Sequence, residues 1–295
     1  MKKAVVRDLS QTAFRAVSEL LRYLKLHFQD LSSLADRYYD LPRAAGETPV
    51  WISLTTLPSR IKKTAPTIKS LLDQTVRVDG IRFNLPSESR REKCGYTVPA
   101  FLQKCAPLSL VSCPEDHGPI TKLLPTVRDF ESIPDARIII VDDDTIYPKT
   151  MVEALTTTGE QFPNSAVCMR GWKVPPGDVH KDRIYVQASG IEEPTPVAIL
   201  QGASGFMVRP GFFPDNILVD ADAPPEAFFV DDILVSGTLA KQEIPRYVAP
   251  SPIQFVRISS LSAMGTPSLV HGENKDGHNN AALYRYFREH WKLRD

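Results

Sequence analysis

Along this chain the apolar residues fall into short blocks, and the spacing inside each block predicts an element. Val50–Leu54, Leu108–Ser112 and Arg137–Val141 are apolar runs of strand length, and Ile81, Phe83 and Leu85 alternate up to Pro86. Between them, Pro66–Gln74, Ile120–Phe130 (opened by Gly118-Pro119) and Lys149–Gln161 follow the helical repeat. The second half is less regular. Ala166–Arg170, Val197–Leu200, Phe206-Met207-Val208 and Arg246–Ala249 read as strands, Val230–Lys241 and Asn279–Trp291 as helices, and residues 262–277 as loop. Strand, helix, strand in repetition with short links predicts right-handed crossovers and a mostly parallel sheet flanked by helices. The expected fold class is α/β and Rossmann-like.

Residues 1–45 have a different pattern. Phe14, Val17, Leu21, Leu24, Phe28 and Leu31 recur three and four apart, with Leu20 and Leu34 beside them, so a single amphipathic helix is expected to end before Leu41-Pro42. Its polar face is modestly basic, with Arg7, Arg15, Arg22 and Lys25. Three uses are open for residues 12–35: packing on the main domain, self-association, or lying on an anionic membrane surface. The expected organisation is therefore an extension over 1–45, a catalytic domain over 46–250, and a C-terminal loop and helix over 251–295 that complete the site.

Composition narrows the class. The 295 residues are 42% apolar and 24% charged, which is ordinary for a globular protein. Lys and Arg total 35 against 35 Asp and Glu, so no global charge favours a nucleic-acid partner. The 25 prolines argue for many loops and against a helical bundle. Cys94, Cys105, Cys113 and Cys168 form no CxxC pair, and they read as thiols in a reducing compartment. No secretory leader pattern, glycosylation sequon or 18-residue apolar run occurs. The expectation is a cytoplasmic protein, with peripheral membrane contact as one of the uses of its first segment.

Candidate chemistry begins where the aliphatic run Ile138-Ile139-Ile140-Val141 stops at Asp142-Asp143-Asp144. A run buried on both faces is typical of a central parallel strand, and ligands of such sheets sit at the strands' carboxyl ends. Three adjacent carboxylates repel one another, so something positive is expected among them. Residues two apart project to the same side, which lets Asp142 and Asp144 share a Mg²⁺ or Mn²⁺ that also holds a diphosphate. Asp143 would turn away or bind a ribose hydroxyl. The alternative is an acidic loop that caps the next helix.

The aliphatic strand followed by Asp-x-Asp, in a chain whose first strand leads into Ser53-Leu54-Thr55-Thr56-Leu57-Pro58-Ser59-Arg60, resembles the GT-A class of nucleotide-sugar glycosyltransferases. The likeness spans roughly residues 50 to 249 and is nearest to inverting members of the family 2 type. It implies that Asp142 and Asp144 hold a divalent metal on the donor diphosphate, and that Thr55, Thr56 and Arg60 border the nucleoside. Phe228-Phe229-Val230-Asp231-Asp232-Ile233 resembles the acidic pair that opens a late helix in inverting enzymes, where one carboxylate is the general base. That implies Asp232 as base, with Asp231 second; a plain helix cap is the alternative. Gly202-Ala203-Ser204-Gly205 resembles the small-residue loop near donor sugar and acceptor. The class also places a late histidine on the metal, which implies His271, with His278 the competitor; Lys275 is a diphosphate neutraliser or a solvated lysine.

Two further contacts are expected. Pro114–Pro125 joins a strand end to a helix start, where Asp116 is a candidate nucleoside contact and Lys122 a candidate phosphate or sugar contact. Trp172 is either an acceptor-stacking ring or a core residue. The expected activity is sugar transfer from a nucleotide-diphosphate sugar, with UDP-sugars first, to a glycan or lipid-linked glycan hydroxyl. The alternatives are a retaining enzyme on the same scaffold and a non-catalytic carbohydrate- or partner-binding protein.

Overall fold

The structure is a computed structural model that describes residues 17–18, 20–44, 46–173, 183–214, 218, 222–251, 258–259 and 274–291. Residues 20–28 are helical, followed by α1 (Leu31–Tyr38), β1 (Val50–Leu54), α2 (Ala65–Leu72), β2 (Gly80–Pro86), α3 (Ala100–Gln103) and β3 (Leu108–Cys113). Then come α4 (Leu124–Asp129), β4 (Arg137–Ile140), β5 (Thr145–Ile146), α5 (Met151–Gln161), β6 (Ala166–Cys168), β7 (Arg170–Lys173) and β8 (Ile184–Gln187). The chain continues through β9 (Thr195–Pro196), β10 (Ile199–Leu200), β11 (Phe206–Val208), α6 (Asp231–Lys241), β12 (Arg246–Val248), β13 (Ile258–Ser259) and α7 (His278–Tyr286).

Eight strands form the central sheet in the order β3-β2-β1-β4-β11-β6-β12-β9. The β1–β4 block is parallel throughout, in register from Val50 opposite Arg137 to Ser53 opposite Ile140. β11 runs antiparallel to β4, with Phe206 opposite Ile140, so the start of β11 meets the carboxyl end of β4. This is the mixed, mostly parallel α/β sheet flanked by helices that the hydrophobic pattern predicts. Ile138, Ile139, Ile140 and Val141 are fully buried, as a central strand covered on both faces requires.

Several boundaries differ from expectation. The helix expected over Ile120–Phe130 is a 3₁₀ turn (Gly118–Lys122) followed by α4, because Pro125 fits only the first turn of a new helix. The C-terminal helix ends at Tyr286, and a 3₁₀ turn (Arg288–His290) follows. The expected Val197–Leu200 strand is shortened to β10, with a separate β9 just before it, and β8 is an additional strand.

The N-terminal helix also departs from the expected single rod. It breaks at Gln29 and Asp30, where the Asp30 carboxylate accepts the Ser33 N–H at 3.2 Å and starts α1. Its docked face is not the expected stripe. Tyr23 and Leu26 are buried, whereas Val17, Leu20, Leu21, Leu24 and Phe28 are exposed. Arg22 fixes the docking by pairing with Asp73 at 2.7 Å and donating to the Tyr147 carbonyl at 2.9 Å. Among the described residues no helix is long and apolar enough to cross a membrane.

Candidate active site

Parallel strands end together, so the loops after β1, β2, β3 and β4 share one edge of the sheet. The antiparallel β11 brings its preceding loop to the same edge, and α6 starts there too. The result is a cavity of about 610 Å³ lined by Thr55, Thr56, Arg60, Asp116, Lys122, Asp142, Asp143, Asp144, Asp231 and Asp232. Trp172, Ala203 and Lys275 line it as well.

The acidic turn is held from behind. Tyr147 is fully buried, and its hydroxyl accepts the Asp142 N–H at 2.7 Å. From α2, Thr67 donates to the Asp143 carbonyl at 2.8 Å, and Ser70 Oγ accepts the Tyr147 N–H at 3.0 Å. These bonds satisfy buried backbone groups that a loop of three acids would otherwise leave open.

The chain itself places positive charge among the three acids. Arg60, from the β1 loop, reaches Asp143 at 2.6 Å and Asp144 at 2.7 Å. Asp143 also accepts a hydrogen bond from Thr56. Asp142 instead pairs with Lys122 at 2.6 Å. The two outer carboxylates therefore point to different cations. Burial alone would lower Lys122, but Asp142, Asp231 and Asp232 outweigh it and hold the ammonium well above the usual lysine range. Burial raises Asp143 to about 6 despite Arg60.

Lys122 reaches that position through a buried polar network. Ser53 Oγ donates to the Lys122 carbonyl at 2.6 Å and meets Thr126 Oγ1 at 2.8 Å, while Asn84 Nδ2 donates to Ser53 at 2.9 Å. Asp116 anchors the preceding loop by accepting the Arg90 N–H at 2.8 Å and the Gly118 N–H at 2.7 Å. Both of its oxygens thus serve backbone groups. Gly118 has φ +69°, and a Cβ there would lie 2.3 Å from the Phe228 carbonyl, so only glycine lets the two loops meet.

That meeting brings the second acidic pair into reach. Lys122 Nζ lies 2.6 Å from Asp231 Oδ2, and Asp232 Oδ1 accepts the Gly202 N–H at 2.8 Å. A Cβ on Gly202 would stand 3.0 Å from Asp232 Oδ1 and 3.1 Å from Lys122 Nζ, so the small-residue loop is what permits the close approach. Burial, and then the Asp231 carboxylate, push Asp232 up to about 8 against the pull of Lys122.

The remaining candidates are placed as follows. Thr55 Oγ1 donates to the Asn84 carbonyl at 2.8 Å, which ties β1 to β2 at the cavity. Trp172 is buried on the wall with the Arg183 guanidinium 5.0 Å from its ring centre. His278 sits at the start of α7 and does not itself line the cavity, although Gly277 and Asn280 do, and its Nε2 lies 3.2 Å from Glu226 Oε1. His271 lies outside the described residues. Among the described residues no three His, Cys, Asp or Glu side chains gather as a metal-ligand group.

Several lining residues are not singled out by the sequence pattern, among them Arg91, Tyr96 and Gln201. Arg91 follows β2 in Arg90-Arg91, Tyr96 donates to the Thr56 carbonyl at 2.8 Å, and Gln201 precedes the Gly202 loop. A cationic pair just past a strand end was the one available signal. Gln201 Oε1 is buried and has no hydrogen-bond partner among the described residues.

No family model matches the sequence, and no curated protein matches it. Among solved structures the chain is similar to the mannosyltransferase PcManGT from Pyrobaculum calidifontis in complex with GDP-Man and Mn²⁺, with 14% identity over 96% of this chain and 75% of that one and a TM-score of 0.49. It is also similar to 4-diphosphocytidyl-2C-methyl-D-erythritol synthase, with 9% identity over 81% of this chain and 99% of that one and a TM-score of 0.45.

Proposed function

We propose that the chain is a nucleotide-sugar-dependent glycosyltransferase of the GT-A class that transfers a sugar to an acceptor hydroxyl with inversion. The observation that carries this reading is the pair of acidic clusters, Asp142–Asp144 and Asp231–Asp232, lining one cavity with Lys122 between them. An inverting displacement needs a cationic place for the leaving diphosphate and, opposite it, a carboxylate for the acceptor proton.

In this reading the β1 loop with Thr55, Thr56 and Arg60, together with Asp116, borders the nucleoside. Lys122 and Arg60 carry positive charge beside the diphosphate. Gln201, with its unpartnered oxygen, accepts a sugar hydroxyl. Asp232, with Asp231 as neighbour, takes the acceptor proton as the acceptor oxygen bonds to the anomeric carbon, and the sugar–phosphate bond breaks with its electrons leaving on the nucleoside diphosphate. Asp142 and Asp144 are hard-oxygen donors on the cavity wall that would hold Mg²⁺ or Mn²⁺ by exchanging Lys122 and Arg60 for the ion, with His271 as the expected third ligand. When bound, the ion would supply further positive charge to the leaving diphosphate.

The test is a donor-hydrolysis screen across nucleotide-sugars with Mn²⁺, run beside Asp144→Ala. Nucleotide release by the native chain and its loss in the variant support the reading. Absence of hydrolysis, with no nucleotide-dependent thermal shift in Mn²⁺, overturns it.

A further inference from the structure

The N-terminal helix has two apolar faces, and the domain uses only one. At 100° per residue, Val17, Leu20, Leu21, Leu24 and Phe28 fall within an arc of about 100°, while Leu26 lies opposite. Leu26 is 1% exposed, whereas Phe28 is 89% exposed. The helix cannot turn its outer face inward. Arg22 is tied to Asp73 and to the Tyr147 carbonyl, and Tyr23 and Leu26 fill the contact below.

We propose that this outer face docks on an anionic lipid surface. The first argument is charge. Residues 1–29 contain Lys2, Lys3, Arg7, Arg15, Arg22 and Lys25 against Asp8 and Glu19. The totals for the whole chain balance, so the remainder is net acidic; Arg22 is committed to Asp73, which leaves Lys25 on the described helix and Lys2, Lys3, Arg7 and Arg15 in the sequence before it. Lys25 is exposed on the flank of the apolar stripe. Leucine and phenylalanine on one face with lysine beside them is the composition of a helix lying in a lipid interface, where the stem of lysine reaches along the apolar layer and its ammonium meets lipid phosphates.

The second argument separates lipid from a second copy. A symmetric pair would bring two basic segments together, whereas an anionic surface attracts both charge and stripe. The stripe also stops where the helix breaks at Asp30, so the described part spans fewer than two heptads, and a coiled coil draws on three or four. The proposal is independent of the transfer chemistry.

The experiment is co-sedimentation of the full chain with vesicles of phosphatidylcholine alone or enriched in phosphatidylglycerol, together with sedimentation velocity without lipid. Binding to the phosphatidylglycerol vesicles should exceed binding to neutral ones by at least about tenfold and weaken at high salt. Leu21→Asp combined with Phe28→Asp should reduce it at least about tenfold with unchanged melting, since both side chains are exposed. Ile133→Asp, which changes an exposed apolar residue elsewhere, should bind like the native chain. Failure of the native chain to sediment with anionic vesicles, or equal sedimentation of the double variant, overturns the proposal. A native dimer that the double variant dissociates, without vesicle binding, overturns it in favour of self-association.

Discussion

Lys122 Nζ and Asp231 Oδ2 stand 2.6 Å apart, and the same ammonium stands 2.6 Å from Asp142 Oδ1. One buried cation thus joins the turn after β4 to the start of α6. Lys122→Met would leave those carboxylates facing each other without compensation, and a loss of about 3 kcal/mol is expected in urea denaturation. Adding Asp142→Asn to that variant should recover part of the loss. An unchanged midpoint for Lys122→Met would show that the bridge contributes nothing.

Asp232 gives the pH dependence. Its folded value of about 8 lies above the ordinary 3.8, so the folded chain keeps a proton that the unfolded chain releases. Stability should therefore fall as pH rises from about 4 to 8, with Asp143, at about 6, adding in the same direction over the lower part of that range. Asp232→Asn retains an oxygen for the Gly202 N–H and has no proton to lose. Its melting temperature should vary less with pH and exceed the native value at pH 9. Its turnover should drop at least about 100-fold, while native turnover rises with pH to a plateau above about 8.

Arg60 occupies Asp143 and Asp144 together. In Arg60→Ala, Mn²⁺ titrated without nucleotide should bind several-fold more tightly, because Asp144 no longer has a competing cation. Nucleoside diphosphate should bind about tenfold more weakly through loss of a charged donor. Calorimetric titration separates the two, and movement of both affinities in the same direction would contradict this role.

Tyr147→Phe removes the hydroxyl that accepts the Asp142 N–H. A buried backbone donor left unpaired costs about 1–3 kcal/mol. The expected signature is a matching fall in melting temperature and a lower kcat with little change in KM for the acceptor. Native-like kcat would mean that Asp142 holds its place without that bond.

The sheet and the turn at its edge were legible because burial wrote them locally. Ile138 to Val141 are apolar without interruption since neighbours cover both faces, and the alternation of Ile81, Phe83 and Leu85 likewise places β2. What neutralises the acids was not legible. Lys122 precedes Asp142 by twenty residues and Arg60 precedes Asp143 by eighty-three, so only the strand order brings them together. The rotation of the N-terminal helix was not legible for a different reason. Its stronger stripe, Val17 to Phe28, leaves packing, self-association and a membrane surface all open, and it is the weaker one, with Tyr23 and Leu26, that has Arg22 beside it to pair with Asp73. One ion pair and two buried side chains decided the rotation.

Tyr147 links the surface helix to the acidic turn that lines the cavity. Its carbonyl receives Arg22 from outside while its hydroxyl receives the Asp142 N–H from inside. The outer bond is on its backbone carbonyl and the inner one on its ring hydroxyl, so one residue carries both. A probe attached to the outer helix would in this way serve as a sensor of what enters beside Asp142.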